Sequence, residues 1–227
     1  SLSAAELALS ADRKSFDVSL ANLPDGKYTL TLSATVGGLA TETLVLPFWI
    51  EPETFALSDT PLYMAVTDRF VDGDSKNNKP VAGVVAAANF QGGDLIGVTQ
   101  KIESGYFDSL GIRALWLTPF YTQPDGSFKD QGGKHDVAGY HGYWPVKARE
   151  VDPRLGGKAA LHRLVEAAHR RGIRVLMDAV LNHVHDGHEY FTDASKRDWF
   201  RTGCICGTSG CDWTAKRLEC LFSRYMP

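Results

Sequence analysis

Ile173-Arg-Val-Leu-Met177-Asp178-Ala-Val-Leu-Asn182-His183-Val184 is the stretch that decides the architecture. Ile173 to Met177 is an apolar run of strand length, and Asp178, Asn182 and His183 follow where such a strand would leave a sheet. Just upstream, residues 159–171 carry Ala160, Leu161, Leu164, Val165 and Ala168 at helical spacing, Arg170 and Arg171 near the negative end of the helix dipole, and Gly172 as terminator. A helix that feeds directly into a buried strand is part of a βαβ unit. The same alternation occurs earlier. Residues 63–70 have strand character, residues 99–110 place Ile102, Tyr106, Phe107 and Leu110 on one helical face before Gly111, and residues 112–117 form a second apolar strand. Repeated βα units with nearly continuous apolar strands predict a parallel sheet covered by helices. Periodicity does not distinguish a closed barrel from an open doubly wound sheet.

Towards the N-terminus the pattern changes to alternation with a period of two. Phe16, Val18 and Leu20, then Tyr28, Leu30, Leu32 and Ala34, then Leu44, Leu46, Phe48 and Ile50 predict three strands, with turns at Pro24-Asp25-Gly26 and Gly37-Gly38. These predict part of a small all-β sandwich module over residues 1–57, and residues 51–61 read as a linker. The chain of 227 residues is 44% hydrophobic, enough for a proper core, and its net charge of -3 is dispersed. That balance gives no electrostatic reason to expect nucleic acid or an anionic membrane as partner, and it suits a neutral polar substrate. No apolar run approaches the roughly 20 residues that span a bilayer. No basic-then-apolar leader opens the chain, so an export signal is expected to have been removed or never included. Cys204, Cys206, Cys211 and Cys220 crowd into one glycine-containing segment, and four cysteines allow three disulfide pairings. Zinc is the competing reading, but the C-x-x-C pairs that make it convincing are missing. Disulfides favour a secreted, extracellular protein.

Two further clusters carry chemistry. Tyr140-His141-Gly142-Tyr143-Trp144 offers flat aromatic faces for stacking on a pyranose and polar tips for its hydroxyls. Residues 68–78, Asp-Arg-Phe-Val-Asp-Gly-Asp-Ser-Lys-Asn-Asn, followed by Gly92-Gly93-Asp94, pack oxygen-bearing side chains into one loop suited to a hard cation, with a solvated turn as the alternative. The loop is not an EF-hand, because Lys76 and Gly83 occupy ligand positions. His183, His185 and His188 could instead hold a transition metal, but nothing in their spacing enforces a common face.

Together, the Asp178–His183 and Tyr140–Trp144 segments resemble motifs of the α-amylase family of glycoside hydrolases, and the resemblance extends over residues 62–189. It implies an α/β fold: the N-terminal part of a (β/α)8 TIM barrel (residues 58–181, its first three strands) after the β module, with residues 182–227 as the start of an inserted domain. It implies retaining hydrolysis of α-1,4-glucosidic bonds in starch-type glucans, one carboxylate forming a glycosyl-enzyme and a second acting as acid then base. Both carboxylates belong to later motifs, so no catalytic residue is expected in this chain. Alternatives are glucan transfer and a non-catalytic glucan-binding module. Carried over residue by residue, His183 contacts a sugar hydroxyl, Asn182 binds a calcium between barrel and inserted domain, and His141 and Tyr143 contact the sugar. Trp144 is expected to line the wall, and Asp178 either binds substrate or holds loop amides. Cyclodextrin glucanotransferases and related bacterial amylases carry a calcium site with the spacing of Asp72, Asp74, Asn77, Asn78, the carbonyl of Gly92, and Asp94. The C-terminal half of the barrel is expected on a separate chain or a continuation of this one, joined through a nick-prone Cys204–Cys220 loop, and residues 1–227 alone are expected to be inactive.

Overall fold

The computed structural model describes residues 6–12, 14–130, 133–201, 203–212, 214, and 220–221. It divides into two compact units, Ser1–Phe55 and Ala56–Pro227. The expected boundary between 181 and 182 lies inside the second unit.

Among the described residues of the first unit every regular element is a strand. β1 (Leu7–Leu9) pairs antiparallel with β2 (Phe16–Val18), and β3 (Gly26–Leu32) pairs in full register with β6 (Leu44–Ile50). Between them, β4 (Thr35–Val36) and β5 (Leu39–Ala40) close a tight hairpin over Gly37 and Gly38, both with positive φ. Tyr28 and Phe48 face each other across the β3–β6 ladder with ring centroids 5.6 Å apart. The ladders are two-stranded throughout, and β1 is a strand that the sequence pattern did not announce.

The second unit is built on three parallel strands, β7 (Leu62–Ala65), β8 (Ala114–Leu117) and β13 (Arg174–Met177), in the spatial order β7-β8-β13. Its connections include α1 (Leu95–Glu103), α2 (Tyr106–Ser109) and α3 (Gly157–Arg170). Between β8 and α3 lie four short strands: β9 (Tyr121–Thr122), β10 (Phe128–Lys129), β11 (Asp136–Val137) and β12 (Lys147–Val151). β9 pairs with β12, and β10 with β11. A further short helix, α4 (Glu189–Thr192), follows β13.

One face of the sheet, with Ala65, Leu115 and Leu117, packs on Leu95, Val98 and Ile102 of α1 and on Leu164 and Ala168 of α3. That burial is the main stabilising term. The opposite face presents Leu62, Met64 and Trp116, which are 41%, 43% and 37% exposed. Two expected elements are corrected. The strand predicted over residues 63–70 stops at Ala65, because Val66 to Arg69 turns into a 3-10 segment. The helix predicted over 99–110 starts earlier, at the Asp94 cap, and breaks at Gly105, whose φ is 78°. Among the described residues no helix is long and apolar enough to cross a membrane.

Candidate functional site

Three loops leave the C-terminal ends of the parallel strands, and the chemistry-bearing residues lie on them: Asp68 and Arg69 after β7, His141 to Trp144 after β8, Asp178 to His183 after β13. Active sites of β/α barrels form at this rim.

Tyr143 is the centre of the arrangement. Its hydroxyl donates to Asp178 Oδ2 at 2.7 Å, its amide donates to His141 Nδ1 at 3.0 Å, and its carbonyl lies 2.9 Å from His183 Nε2. A carbonyl can only accept, so His183 presents a proton on Nε2, and its Nδ1 lies 3.3 Å from Asn182 Nδ2. The His141 and Tyr143 rings stack at 5.9 Å with 16° between planes, and Trp144 stands edge-on to His141 at 4.6 Å.

The turn that presents these rings requires glycine. Gly142 has φ 89°, and a Cβ there would fall 2.2 Å from the Pro119 carbonyl oxygen. Gln123 fixes the turn from below. Its Nε2 donates to the carbonyls of Gly142 at 2.9 Å and Tyr121 at 3.0 Å, and its Oε1 accepts from the Trp144 amide at 2.8 Å. Gln123 is held in turn by a buried ion pair. Asp152 accepts its amide at 2.9 Å, and Arg154, paired with Asp152, donates to its carbonyl at 2.9 Å. Sequence reasoning gave no role to Gln123, Asp152 or Arg154. Their contacts span about thirty positions, and only Gln123's place just past a strand end could have pointed to them.

Burial, with the charges of His183 and Arg69, lowers the His141 pKa to about 4, so the ring is neutral at neutral pH. Burial and then the Asp178 carboxylate raise Tyr143 to about 12, so it stays a phenol. The bonds from the Tyr143 amide to His141 and from the Tyr143 hydroxyl therefore keep the same donors across the neutral range. Arg69 lies 3.7 Å over the Tyr140 ring, pairs with Asp68 and donates to the Ala87 carbonyl at 3.1 Å. Burial pushes the Asp68 carboxyl up against the opposing pull of the Gln91 and Gly92 amides and Arg69.

The 72–94 loop closes around Asp94, which is fully buried. Asp94 accepts from the amides of Gly73 at 3.1 Å, Asp74 at 3.0 Å and Gly97 at 2.7 Å, and from Asn77 Nδ2 at 2.8 Å. Both its oxygens are thus engaged by donors, which makes Asp94 the organiser of the loop and the cap of α1. Asp72 Oδ2 accepts from Asn78 Nδ2 at 2.6 Å, and Asp74 Oδ1 from the Lys76 amide at 3.1 Å. The Oδ1 atoms of Asn77 and Asn78 are buried without a hydrogen-bond partner. Gly92, φ 95°, lies against Asn78: a Cβ on it would sit 2.6 Å from that carboxamide. Two orphaned carboxamide oxygens beside a carboxylate are chemically suited to a hard cation, since a cation supplies the partner that they lack. Among the described residues no group of three or more His, Cys, Asp or Glu converges as a metal site.

The structure thus joins His141, Tyr143, Trp144, Asp178 and His183 in one cluster. His183's proton-bearing nitrogen faces backbone. Asn182 is exposed, and the contact recorded for its side chain is to His183. The three imidazoles of the transition-metal alternative do not gather with other ligating side chains into a group of three or more among the described residues: His183 Nε2 meets the Tyr143 carbonyl, His185 Nδ1 accepts the Gly187 amide at 3.1 Å, and His188 Nδ1 accepts the Tyr190 amide at 3.0 Å. Zinc on the cysteines is also set aside, because Cys204 bonds to Cys211 and Cys206 to Cys220, an interleaved pairing.

The aromatic cluster lies at the C-terminal rim of a parallel βα sheet, where β/α barrels place their active sites. The chain belongs to the α-amylase family: a family model for the alpha amylase catalytic domain, a TIM-barrel fold, matches residues 64–217. It is 35% identical over 182 residues to the periplasmic alpha-amylase of Escherichia coli, covering 76% of this chain and 26% of that protein. It is 36% identical over 152 residues to a cyclomaltodextrin glucanotransferase of Paenibacillus macerans, covering 62% and 21%. Among solved structures, the alpha-amylase of Geobacillus thermoleovorans in complex with acarbose matches with a TM-score of 0.56 and 33% identity, over 77% of this chain and 34% of that one. The chain spans about a quarter of the length of these curated relatives.

Proposed function

We propose that the protein acts on starch-type α-1,4-glucans as a retaining glycoside hydrolase, with this chain supplying the sugar-contacting half of the site. The observation that carries the reading is the threefold hold on Tyr143, in which residues from two separate motifs present one aromatic face at the barrel rim. The ring of Tyr143 stacks on the sugar, Trp144 forms a wall, and Asp178 holds the phenol in place. His183 reaches a hydroxyl by releasing the Tyr143 carbonyl or through its Nδ1. Calcium binding by the 72–94 loop is part of the same proposal, supported by the orphaned oxygens of Asn77 and Asn78. Secretion is supported by the two disulfides, which persist in oxidising compartments. The family includes hydrolases and glucanotransferases, and their products separate the two activities.

Calorimetry of the intact protein with maltooligosaccharides tests the reading, followed by product analysis on starch. Tyr143→Ala is expected to weaken binding by about tenfold, the value of one aromatic stacking contact. A wild-type protein that binds no maltooligosaccharide would remove the proposal; cyclic products would replace hydrolysis by transfer.

A further inference from the structure

Aromatic contacts continue beyond the 141–144 turn. Trp144 lies 6.0 Å from the His185 ring, the His188 amide donates to the His185 carbonyl at 3.0 Å, His188 meets Tyr190 at 4.8 Å, and Tyr190 meets Trp199 at 5.5 Å with 71° between planes. The series leads from the candidate sugar site to Trp199, a residue that is 53% exposed. Leaving so much indole in water forgoes apolar burial, although the segment that carries it is well built. Asp193 caps the 3-10 helix Ala194–Trp199, accepting from the Ser195 amide at 2.9 Å and hydroxyl at 2.7 Å, and it pairs with Lys196. The Lys196 ammonium is thereby held 5.5 Å from the Tyr190 ring and 5.7 Å from the Trp199 ring.

A flat indole, a second ring set nearly perpendicular to it and a fixed hydrogen-bond donor beside both are the components that hold a pyranose: its C–H face packs on the indole and its hydroxyls meet the donor. We infer that Tyr190 and Trp199 form an outlying binding platform for glucose units of an α-glucan chain that also reaches Tyr143. This inference rests on the glucan reading proposed above. A ligand long enough to touch both places gains from the second contact as an intramolecular event, whereas a short one does not.

The test compares amylose with maltotriose on the intact protein, by affinity electrophoresis and calorimetry respectively. Trp199→Ala is expected to weaken amylose retention by about tenfold and to leave maltotriose binding unchanged, while Trp199→Phe retains most of the amylose affinity. Tyr143→Ala is expected to weaken both. A measurement without substitution guards against misfolding: amylose should protect Trp199 from N-bromosuccinimide, read by peptide mass, and maltotriose should not. Unchanged amylose retention in Trp199→Ala, or equal oxidation with and without amylose, overturns the platform and leaves the glucan reading standing. A wild-type protein that binds neither glucan removes both.

Discussion

At the scale of single residues, His141 makes the site sensitive to acid. Its folded pKa of about 4 lies below the ordinary 6.5, so on acidification the unfolded chain takes up the proton first. The stability that this confers is full above about pH 6.5, is lost as pH falls towards 4, and changes no further below that. The contribution is about 3 kcal/mol, and burial lowers His185 and His188 in the same direction. Urea midpoints should therefore fall between pH 7 and pH 4.5, and the fall should be shallower in His141→Gln; equal slopes would contradict the assignment. Gly142 is the other sensitive residue. Its left-handed φ and the Pro119 carbonyl 2.2 Å from a Cβ position leave no room for a side chain, so Gly142→Ala should cost about 2 kcal/mol or more and displace Tyr143. Denaturant titration checks the first effect, and loss of maltooligosaccharide affinity the second. That His141, Tyr143, Trp144, Asp178 and His183 lie together was legible in the sequence through motif and strand-end position, while their contacts with a sugar belong to the proposal above. Gln123 was not, because its meaning comes from partners such as Gly142 and Asp152 that only folding brings near it.

At the scale of elements, the sequence was most legible where periodicity ran uninterrupted. The pattern over 159–171 corresponds to α3, and the apolar run from Ile173 to β13. It was least legible where a polar side chain set the boundary. The start of α1 is defined by Asp94, which takes the local Gly97 amide as an N-cap does, but three of its four donors come from residues 73, 74 and 77, and that part of its role has no local pattern. Asp94→Ala removes a helix cap and strands these donors, so it should destabilise the protein by about 3 kcal/mol or more, beyond the roughly 1 kcal/mol of an ordinary cap. Thermal melts test this. Asp72 organises less, accepting from Asn78 alone among the recorded contacts, so Asp72→Ala isolates the proposed calcium. Adding calcium to chelator-treated protein should raise the melting temperature of the wild type and have little effect on Asp72→Ala, because a ligand that binds only the folded state stabilises it by mass action. A calcium-independent melt in the wild type would end that proposal.

At the scale of the whole molecule, the helix-covered face of the parallel sheet is a finished core and the other is not. Leu62, Met64 and Trp116 stand partly in water, and β7 and β13 are edge strands. Residues 1–227 expressed alone should therefore self-associate and bind hydrophobic dyes, as measured by light scattering and dye fluorescence. A monodisperse, dye-free protein would show that the face is tolerated. The parallel class was visible in the alternation of helix and strand, whereas the first unit's pairing was not: Leu7 to Leu9 is too short a run to distinguish from loop until its partner Phe16–Val18 is known. The spatial order β7-β8-β13 also repeats the order of synthesis. Each strand can dock on the one made before it, and none has to wait for a later segment to be inserted between its neighbours. A chain leaving the ribosome could assemble this sheet as it emerges, always growing at one edge.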